Sequence, residues 1–406
     1  MASGLIPRGV QLQGWSIDEW LRAPPPISSI AKKVLANLRI AQEKGFISFG
    51  CSAYSHAFLP LLSTPLAYAQ MKVDYLTIKQ YLGKPNFFWF PECALNSKLL
   101  RILHLRLPFL IPILSDKALN KNGSRFIELE FEDGSRERAV VASTLAKDVL
   151  MNAVVYSKPS YVPSTLDWKM AVKSMREGEC LLKTLEEVDP SPYHVVVRDW
   201  ENGESRDALV KIGERKEIKA YLEVKEKVSF SLFYDYGGEV EVVPISSIKP
   251  SCWEPLSTPD NPFPYWSPTR IKDMTTKKLI EGWKSLLQLY DETFVDIVEI
   301  MSEEEELGRD EEANSLKAVD LALSNERFYS VFKNTSPSLL SCLPWHILGR
   351  EEWERFPQFP RELLRYVLKP KIAELISYLE KISKCKEMEK KERLEYIYTE
   401  MESCFS

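Results

Sequence analysis

The stretch FISFGCSAYSHAFLPLLSTPLAYAQMKVDYLTIKQYLGKPNFFWFPECAL, residues 46–95, decides the fold class of this chain. It begins with a short apolar segment that is typical of a buried strand, and apolar positions at helical spacing follow over residues 66–82. A Gly-Lys-Pro sequence closes that helix, and NFFWFP then predicts a second buried strand. Residues 94–104 predict another helix, and FLIPILS a third strand. Short apolar strands that alternate with helices favour an α/β barrel or a doubly wound sheet.

The flanking segments extend this pattern. Upstream, residues 29–44 predict a helix that ends at Gly45, whereas residues 1–28 are expected to be irregular. Downstream, RFIELEFEDGSRERAVVAS alternates apolar and polar residues around Asp133-Gly134, which predicts a hairpin. YHVVVRDW has an all-apolar centre, as expected of a parallel strand that is covered on both faces. Further helices are expected over 144–153 and 166–189, and further strands in VSFSLFYDYGG and EVEVVPIS.

The composition changes after a loop rich in Pro, Trp and Ser at residues 249–268. Beyond that loop, helical patterns with charge-rich faces cover residues 270–304, 310–333, 348–355 and 360–403. We therefore expect two domains, a barrel-like α/β domain over residues 1–255 and a helical domain over residues 256–406 that packs against it.

Composition excludes several classes of function. The 406 residues include 53 Lys and Arg against 58 Asp and Glu, a net charge of −5, so the chain lacks the basic footprint of a nucleic-acid-binding protein. The four histidines and seven cysteines have no metal-ligand spacing, so we expect no metal and no cofactor. No segment is long and apolar enough for a signal peptide or a membrane span, which predicts a cytoplasmic protein without a membrane partner. Abundant Lys and Glu with little Gln indicate a thermophilic source, and the oligomeric state stays open.

Glu92 is the first candidate for chemistry. It follows four aromatic residues, and Pro91 places it at the carboxyl end of the predicted strand. In a (β/α) barrel the active site is built at that end, where a carboxylate can act as a covalent nucleophile. The alternative is a structural role, because an acid in the first turn of the next helix favours the helix dipole.

Asp199, Trp200 and Glu201 form the second candidate group, directly after the strand HVVV. Two carboxylates at i and i+2 leave a strand end in roughly the same direction, and a partly buried acid beside another can keep its proton near neutral pH. The alternative is a polar turn that closes the strand, since Asn-Gly follows. Asp235, which also ends an apolar run, is an alternative acid.

His56 follows a predicted strand, as Glu92 and Asp199 do, and this shared placement favours a role in the site over a packed core histidine. Aromatic residues make up 11% of the chain, which suits sugar binding or a large core equally well. In the loop after residue 249, Trp253, Tyr265 and Trp266 could stack on sugar faces or pin the loop to the core.

Several of these stretches together resemble glycoside hydrolase family 57. GFISFGCSAYSHAFLPLL is similar to that family's strand and histidine motif, and GKPNFFWFPECAL to the segment that leads into its W-P-x-E nucleophile motif. RDWENGE resembles the later D-x-E segment, KPSCWEPLSTPDNPFPYWSP the aromatic loop after it, and LSNERFYSVF the S-D-x-F-Y helix motif. The motifs occur in the family's order over roughly residues 45–335.

The resemblance implies an α/β fold, an incomplete (β/α)7-type barrel followed by a C-terminal helical bundle, and retaining action on α-glucans or oligosaccharides. By position in the motifs, Glu92 falls on the nucleophile, Asp199 on the acid/base and His56 on a substrate-contacting histidine. Further substrate contacts are then expected from Trp89, Trp200, Glu201, Trp253 and Trp266.

The chain departs from the family at two motifs. The His-Gln-Pro of the opening barrel strand is absent, which predicts that this strand is lost or replaced, and NERFY has Glu326 and Arg327 in place of the acid and the histidine. These departures leave open a catalytically inactive relative that serves as a carbohydrate-binding or structural protein. An unrelated α/β enzyme that acts on phosphorylated substrates is a third possibility, although no glycine-rich phosphate loop is present.

Overall fold

A computed structural model of the chain describes residues 8–143, 240–252, 257–263, 274–303, 310–340, 364–382 and 387–404. Its strands are β1 (Arg8–Gln11), β2 (Ile47–Cys51), β3 (Phe87–Trp89), β4 (Ile111–Ser115), β5 (Arg125–Glu130), β6 (Arg136–Ala142) and β7 (Glu241–Pro244). They form one seven-stranded sheet in the order β1-β2-β3-β4-β6-β5-β7. Neighbouring strands from β1 to β6 along this order are parallel, whereas β5 is antiparallel to β6 and parallel to β7. This mixed sheet confirms the α/β pattern and the predicted hairpin.

Helices connect the parallel strands and form most of the described residues after β7. They are α1 (Gly14–Arg22), α2 (Ile27–Glu43), α3 (Thr64–Tyr81), α4 (Ser97–Arg106), α5 (Met274–Ser302), α6 (Glu311–Ser324), α7 (Glu326–Leu340), α8 (Lys369–Ile382) and α9 (Glu387–Ser403). Among the described residues, no helix is long and apolar enough to cross a membrane.

The prediction that residues 1–28 are irregular is wrong for residues 8–22, which contain a strand and a helix. β1 pairs in parallel with β2, and α1 follows it, so an opening strand is present although the family's first motif is not. The four residues of β1 are too few to give a clear period, and their place in the sheet depends on the hydrogen bonds to β2.

The two faces of the sheet carry different clusters because side chains alternate along each strand. Phe88 and Phe90 face the main core under the helices, whereas Phe87 and Trp89 belong to a smaller cluster on the other face. A Cβ on Gly50 would lie 2.1 Å from the Phe87 ring, so only glycine leaves room for that ring on β2. Ile113, Val140 and Ala142 continue the smaller cluster across β4 and β6.

Polar contacts join the second half of the chain to the first helices. Ser63, the N-cap of α3, donates to Asp291 of α5, and Tyr68 of α3 donates to Asp320 of α6 at 2.7 Å. The main hydrophobic core also continues from the sheet into α5 to α9. The fold is therefore the predicted incomplete barrel with a C-terminal helical bundle, while the domain boundary at residues 255–256 stays a prediction.

Candidate active site at the carboxyl edge of the sheet

His56 and Glu92, two of the predicted site residues, meet at the carboxyl edge of the sheet. β2 and β3 are parallel neighbours with Gly50 beside Phe87 and Cys51 beside Phe88, so the loops that follow them leave the same edge. The His56 Nε2 lies 3.1 Å from Glu92 Oε1. The carboxyl edge of parallel strands is where α/β folds bind ligands, and the sequence placed both residues there.

The two side chains differ in their access to solvent. The His56 side chain is 37% exposed, whereas that of Glu92 is 10% exposed. The imidazole is therefore closer to solvent, and it contacts one oxygen of the more deeply buried Glu92 carboxylate. A hydrogen bond from the imidazole restricts rotation of the carboxylate, which is the geometry needed by a group that must attack from one direction.

The backbone around these residues is strained. His56, Glu92 and Cys93 have φ values of 56°, 58° and 47°, in the left-handed region that non-glycine residues rarely adopt. Such conformations cost about 1–3 kcal/mol each and persist only where the surroundings fix them, most often at functional sites. Asn120 also has a positive φ, but asparagine at the end of a short helix is a usual place for it.

Buried hydrogen bonds hold the loop that carries His56. The side-chain Oε1 of Gln70 on α3 accepts from the Ser55 backbone N–H at 3.0 Å and from its hydroxyl at 2.7 Å. The backbone carbonyl of Gln70 accepts from the Tyr54 N–H at 3.0 Å. One glutamine therefore fixes the two residues that precede His56.

Glu92 does not cap the following helix, which was the alternative interpretation of this residue. The N-cap of α4 is Asn96, whose side chain accepts from the Leu99 N–H at 3.2 Å. Glu92 lies instead in a separate short 3₁₀ turn, Pro91–Cys93. Its buried position is therefore not explained by the start of α4.

Trp89, predicted to contact substrate, is only 7% exposed and packs in the smaller cluster with Phe87 and Cys93. Its role as a stacking platform stays a prediction.

The segment after β7 contacts the loops that carry both site residues. Leu95 and Ser251 exchange two backbone hydrogen bonds of 3.0 and 3.2 Å, just after Glu92. Phe263 packs edge-to-face on Phe58, two residues after His56, with ring centroids 5.1 Å apart. The described part of the predicted aromatic loop therefore packs against the two loops that carry His56 and Glu92.

The other predicted site residues lie outside the described residues: Asp199, Trp200, Glu201, Asp235, Trp253, Tyr265 and Trp266. Among the residues that the structure does describe, no three His, Cys, Asp or Glu side chains come together as a metal site.

Sequence reasoning missed Asp74 and Ser52. Asp74 lies in the middle of α3, is fully buried, and accepts from the backbone N–H groups of Gly14 at 2.7 Å and Ser52 at 2.6 Å. Burial raises the pKa of Asp74 from 3.8 to about 7. The two hydrogen bonds lower this pKa, but their effect is smaller than that of burial. The sequence signal for Asp74 was an acid among apolar residues in MKVDYL. An acid is almost never fully buried without partners, so this position indicates a carboxyl group with buried hydrogen-bond donors.

Comparison with known proteins confirms the resemblance. Residues 19–127, which contain His56 and Glu92, match the family model "Glycosyl hydrolase family 57". No curated protein matches the chain. A solved family 57 branching enzyme from the archaeon Pyrococcus horikoshii matches with a TM-score of 0.55 and 14% identity, over 96% of this chain and 79% of that one.

Two further solved structures share the fold. An exo-type maltose-forming amylase from Pyrococcus sp. ST04 matches with a TM-score of 0.54 and 14% identity, over 97% of this chain and 70% of that one. A 4-alpha-glucanotransferase from Thermococcus litoralis matches with a TM-score of 0.52 and 14% identity, over 93% of this chain and 54% of that one. At such low identity these likenesses concern the fold alone.

Proposed function

We propose that this chain, whose residues 19–127 match the family model of glycosyl hydrolase family 57, cleaves or transfers α-glucosidic bonds of α-glucans by double displacement. The observation that carries this proposal is the contact between His56 and Glu92, which both have strained backbone conformations in the two loops that follow β2 and β3 at the carboxyl edge of the sheet. The fold shared with a branching enzyme, an amylase and a glucanotransferase supports the same substrate class.

In the proposed reaction, Glu92 is the nucleophile. Its carboxylate oxygen attacks the anomeric carbon, and the bond from that carbon to the glycosidic oxygen breaks as a glycosyl-enzyme ester forms. His56 keeps the carboxylate oriented through the 3.1 Å contact between Nε2 and Oε1.

Asp199 is the proposed acid/base. It gives its proton to the departing glycosidic oxygen. In the second half it takes a proton from the water or sugar hydroxyl that attacks the anomeric carbon, as the ester bond from that carbon to Glu92 breaks and frees the carboxylate. This role requires the Asp199 carboxyl group to stand about 5–5.5 Å from that of Glu92. Trp200, Glu201, Trp253 and Trp266 are proposed to contact the sugar around this pair.

Incubation with maltooligosaccharides, followed by chromatography of the products, tests the proposal. Longer chains would indicate transfer, and glucose or maltose alone would indicate hydrolysis. Glu92→Gln and Asp199→Asn should each abolish turnover, because each removes a group that takes part in bond making or breaking. Glu43→Gln is the matched control, since Glu43 pairs with Arg39 at the surface and its side chain is 64% exposed.

Two results would contradict the proposal. Full turnover in both Glu92→Gln and Asp199→Asn would refute the assignment of the catalytic pair. Binding of maltooligosaccharides by the wild type without any change in them would instead favour a non-catalytic carbohydrate-binding protein.

A further inference from the structure

Asp74 joins the ends of two strands through a single buried carboxylate. Oδ1 accepts from the N–H of Gly14, three residues after β1, and Oδ2 accepts from the N–H of Ser52, the first residue after β2. The donor–acceptor distances are 2.7 and 2.6 Å, and Asp74 is 0% exposed. Each oxygen therefore has its own backbone donor, and both hydrogen bonds are short.

Ser52 extends this connection to the third strand. Its hydroxyl donates to the backbone carbonyl of Trp89, the last residue of β3, at 2.6 Å, and Ser52 is 1% exposed. The series Asp74, Ser52, Trp89 therefore fixes the point from which the His56 loop leaves β2 and the point from which the Glu92 turn leaves β3.

Both loops need such anchors. His56 and Glu92 adopt left-handed backbone conformations that are unfavourable on their own. Ser52 lies four residues before His56, and Trp89 lies three residues before Glu92, so a shift at either anchor moves the loop next to it. A displacement of about 1 Å at reacting groups is enough to lower a rate substantially.

We propose that Asp74 and Ser52 are positioning residues that set the distance between His56 and Glu92 for reaction with an α-glucan, a role that rests on the proposed function. Neither side chain needs to touch the substrate. They act by fixing the ends of β1, β2 and β3 relative to one another, in addition to the hold that Gln70 exerts on Ser55.

Two variants test this role in the full-length chain. Asp74→Asn keeps the shape but presents an NH₂ group to one of the two backbone donors, and Ser52→Ala removes the hydroxyl that reaches Trp89. Each should lower kcat about ten-fold on maltooligosaccharides with KM changed less than about two-fold, because loss of one buried hydrogen bond acts here on geometry and not on sugar contacts. Because the two residues act in series, the double variant should be little worse than either single variant.

Thr77→Val is the matched control. Thr77 lies one turn further along α3, is 1% exposed, and its hydroxyl donates to the Val73 carbonyl within the helix at 2.8 Å. This variant keeps the β-branched shape and removes a buried hydroxyl whose acceptor, the Val73 carbonyl, lies within the same helix, so kcat should stay within about two-fold of the wild type.

Amide hydrogen exchange gives a second readout that does not depend on turnover. Asp74→Asn and Ser52→Ala should accelerate exchange in peptides that cover residues 52–56 and 89–93, and Thr77→Val should not. Unchanged exchange in both peptides would overturn the inference, whether or not the wild type acts on α-glucans. Changed exchange with a wild type that lacks turnover would contradict the proposed function alone. If the double variant loses kcat by the product of the two single losses, Asp74 and Ser52 act independently, and the proposed series Asp74, Ser52, Trp89 is contradicted.

Discussion

Replacing Lys333 with methionine should destabilise the protein strongly, because it leaves a buried carboxylate without its counter-charge. Lys333 on α7 reaches Asp18 on α1, with Nζ 2.5 Å from Oδ2. The Asp18 side chain is 6% exposed and that of Lys333 is 13% exposed. The same Asp18 oxygen accepts the hydroxyl of Tyr54 at 2.7 Å, two residues before His56.

The expected loss follows from this burial. Breaking a buried ion pair from one side costs about 3–5 kcal/mol, since the remaining charge has lost its water and its partner. The Lys333 ammonium also lies 5.3 Å from the centre of the Tyr54 ring and 5.4 Å from that of Tyr329, which adds cation–π attraction. Burial, followed by the hydrogen bond to Asp18, raises the pKa of Tyr54 well above its usual value, so the phenol stays a neutral donor.

Urea unfolding at pH 7, followed by circular dichroism, measures this loss. Asp18→Asn combined with Lys333→Met should recover much of it, because no isolated charge then remains inside. Arg22→Met is the surface control, since the Arg22–Glu19 pair has side chains 54% and 51% exposed and should contribute less than about 1 kcal/mol. A loss below 1 kcal/mol for Lys333→Met, or a double variant as unstable as the sum of both single ones, would refute this reasoning.

Two more predictions concern stability. Because burial raises the pKa of Asp74 from 3.8 to about 7, the folded state holds a proton that the unfolded chain releases, so this residue makes stability fall as pH rises from about 4 to about 7. Over that range the unfolding free energy of the wild type should fall relative to that of Asp74→Asn by up to about 4 kcal/mol. If the unfolding free energies of the two proteins change in parallel with pH, this prediction is contradicted. Gly50→Ala should lower stability by about 1–3 kcal/mol, since its Cβ would lie 2.1 Å from the Phe87 ring. Thermal melting measures this loss, and the double variant Gly50→Ala/Phe87→Leu should recover part of it. An unchanged melting temperature in Gly50→Ala would contradict the prediction.

Local patterns predicted the strands and helices between residues 29 and 143 because the parallel strands there lie in apolar runs and the helices have clear apolar spacing. The prediction failed at residues 8–22, where a four-residue strand is held by pairing with β2 and not by its own sequence. The predicted candidates His56 and Glu92 come together because both follow parallel neighbouring strands, a relation that the order of elements already contains.

The sequence by itself determined the fold class, the family resemblance and the edge of the sheet where chemistry is expected, because periodicity and strand ends are local properties. Only the tertiary structure decided which buried polar side chains hold the strand ends and loops at that edge in place. Asp74 and Ser52 are 22 residues apart, and Lys333 is far from Asp18 along the chain, so no local pattern relates the members of either pair. Their partners follow from the packing of whole helices against the sheet, which places buried polar groups where only one set of donors and acceptors can satisfy them.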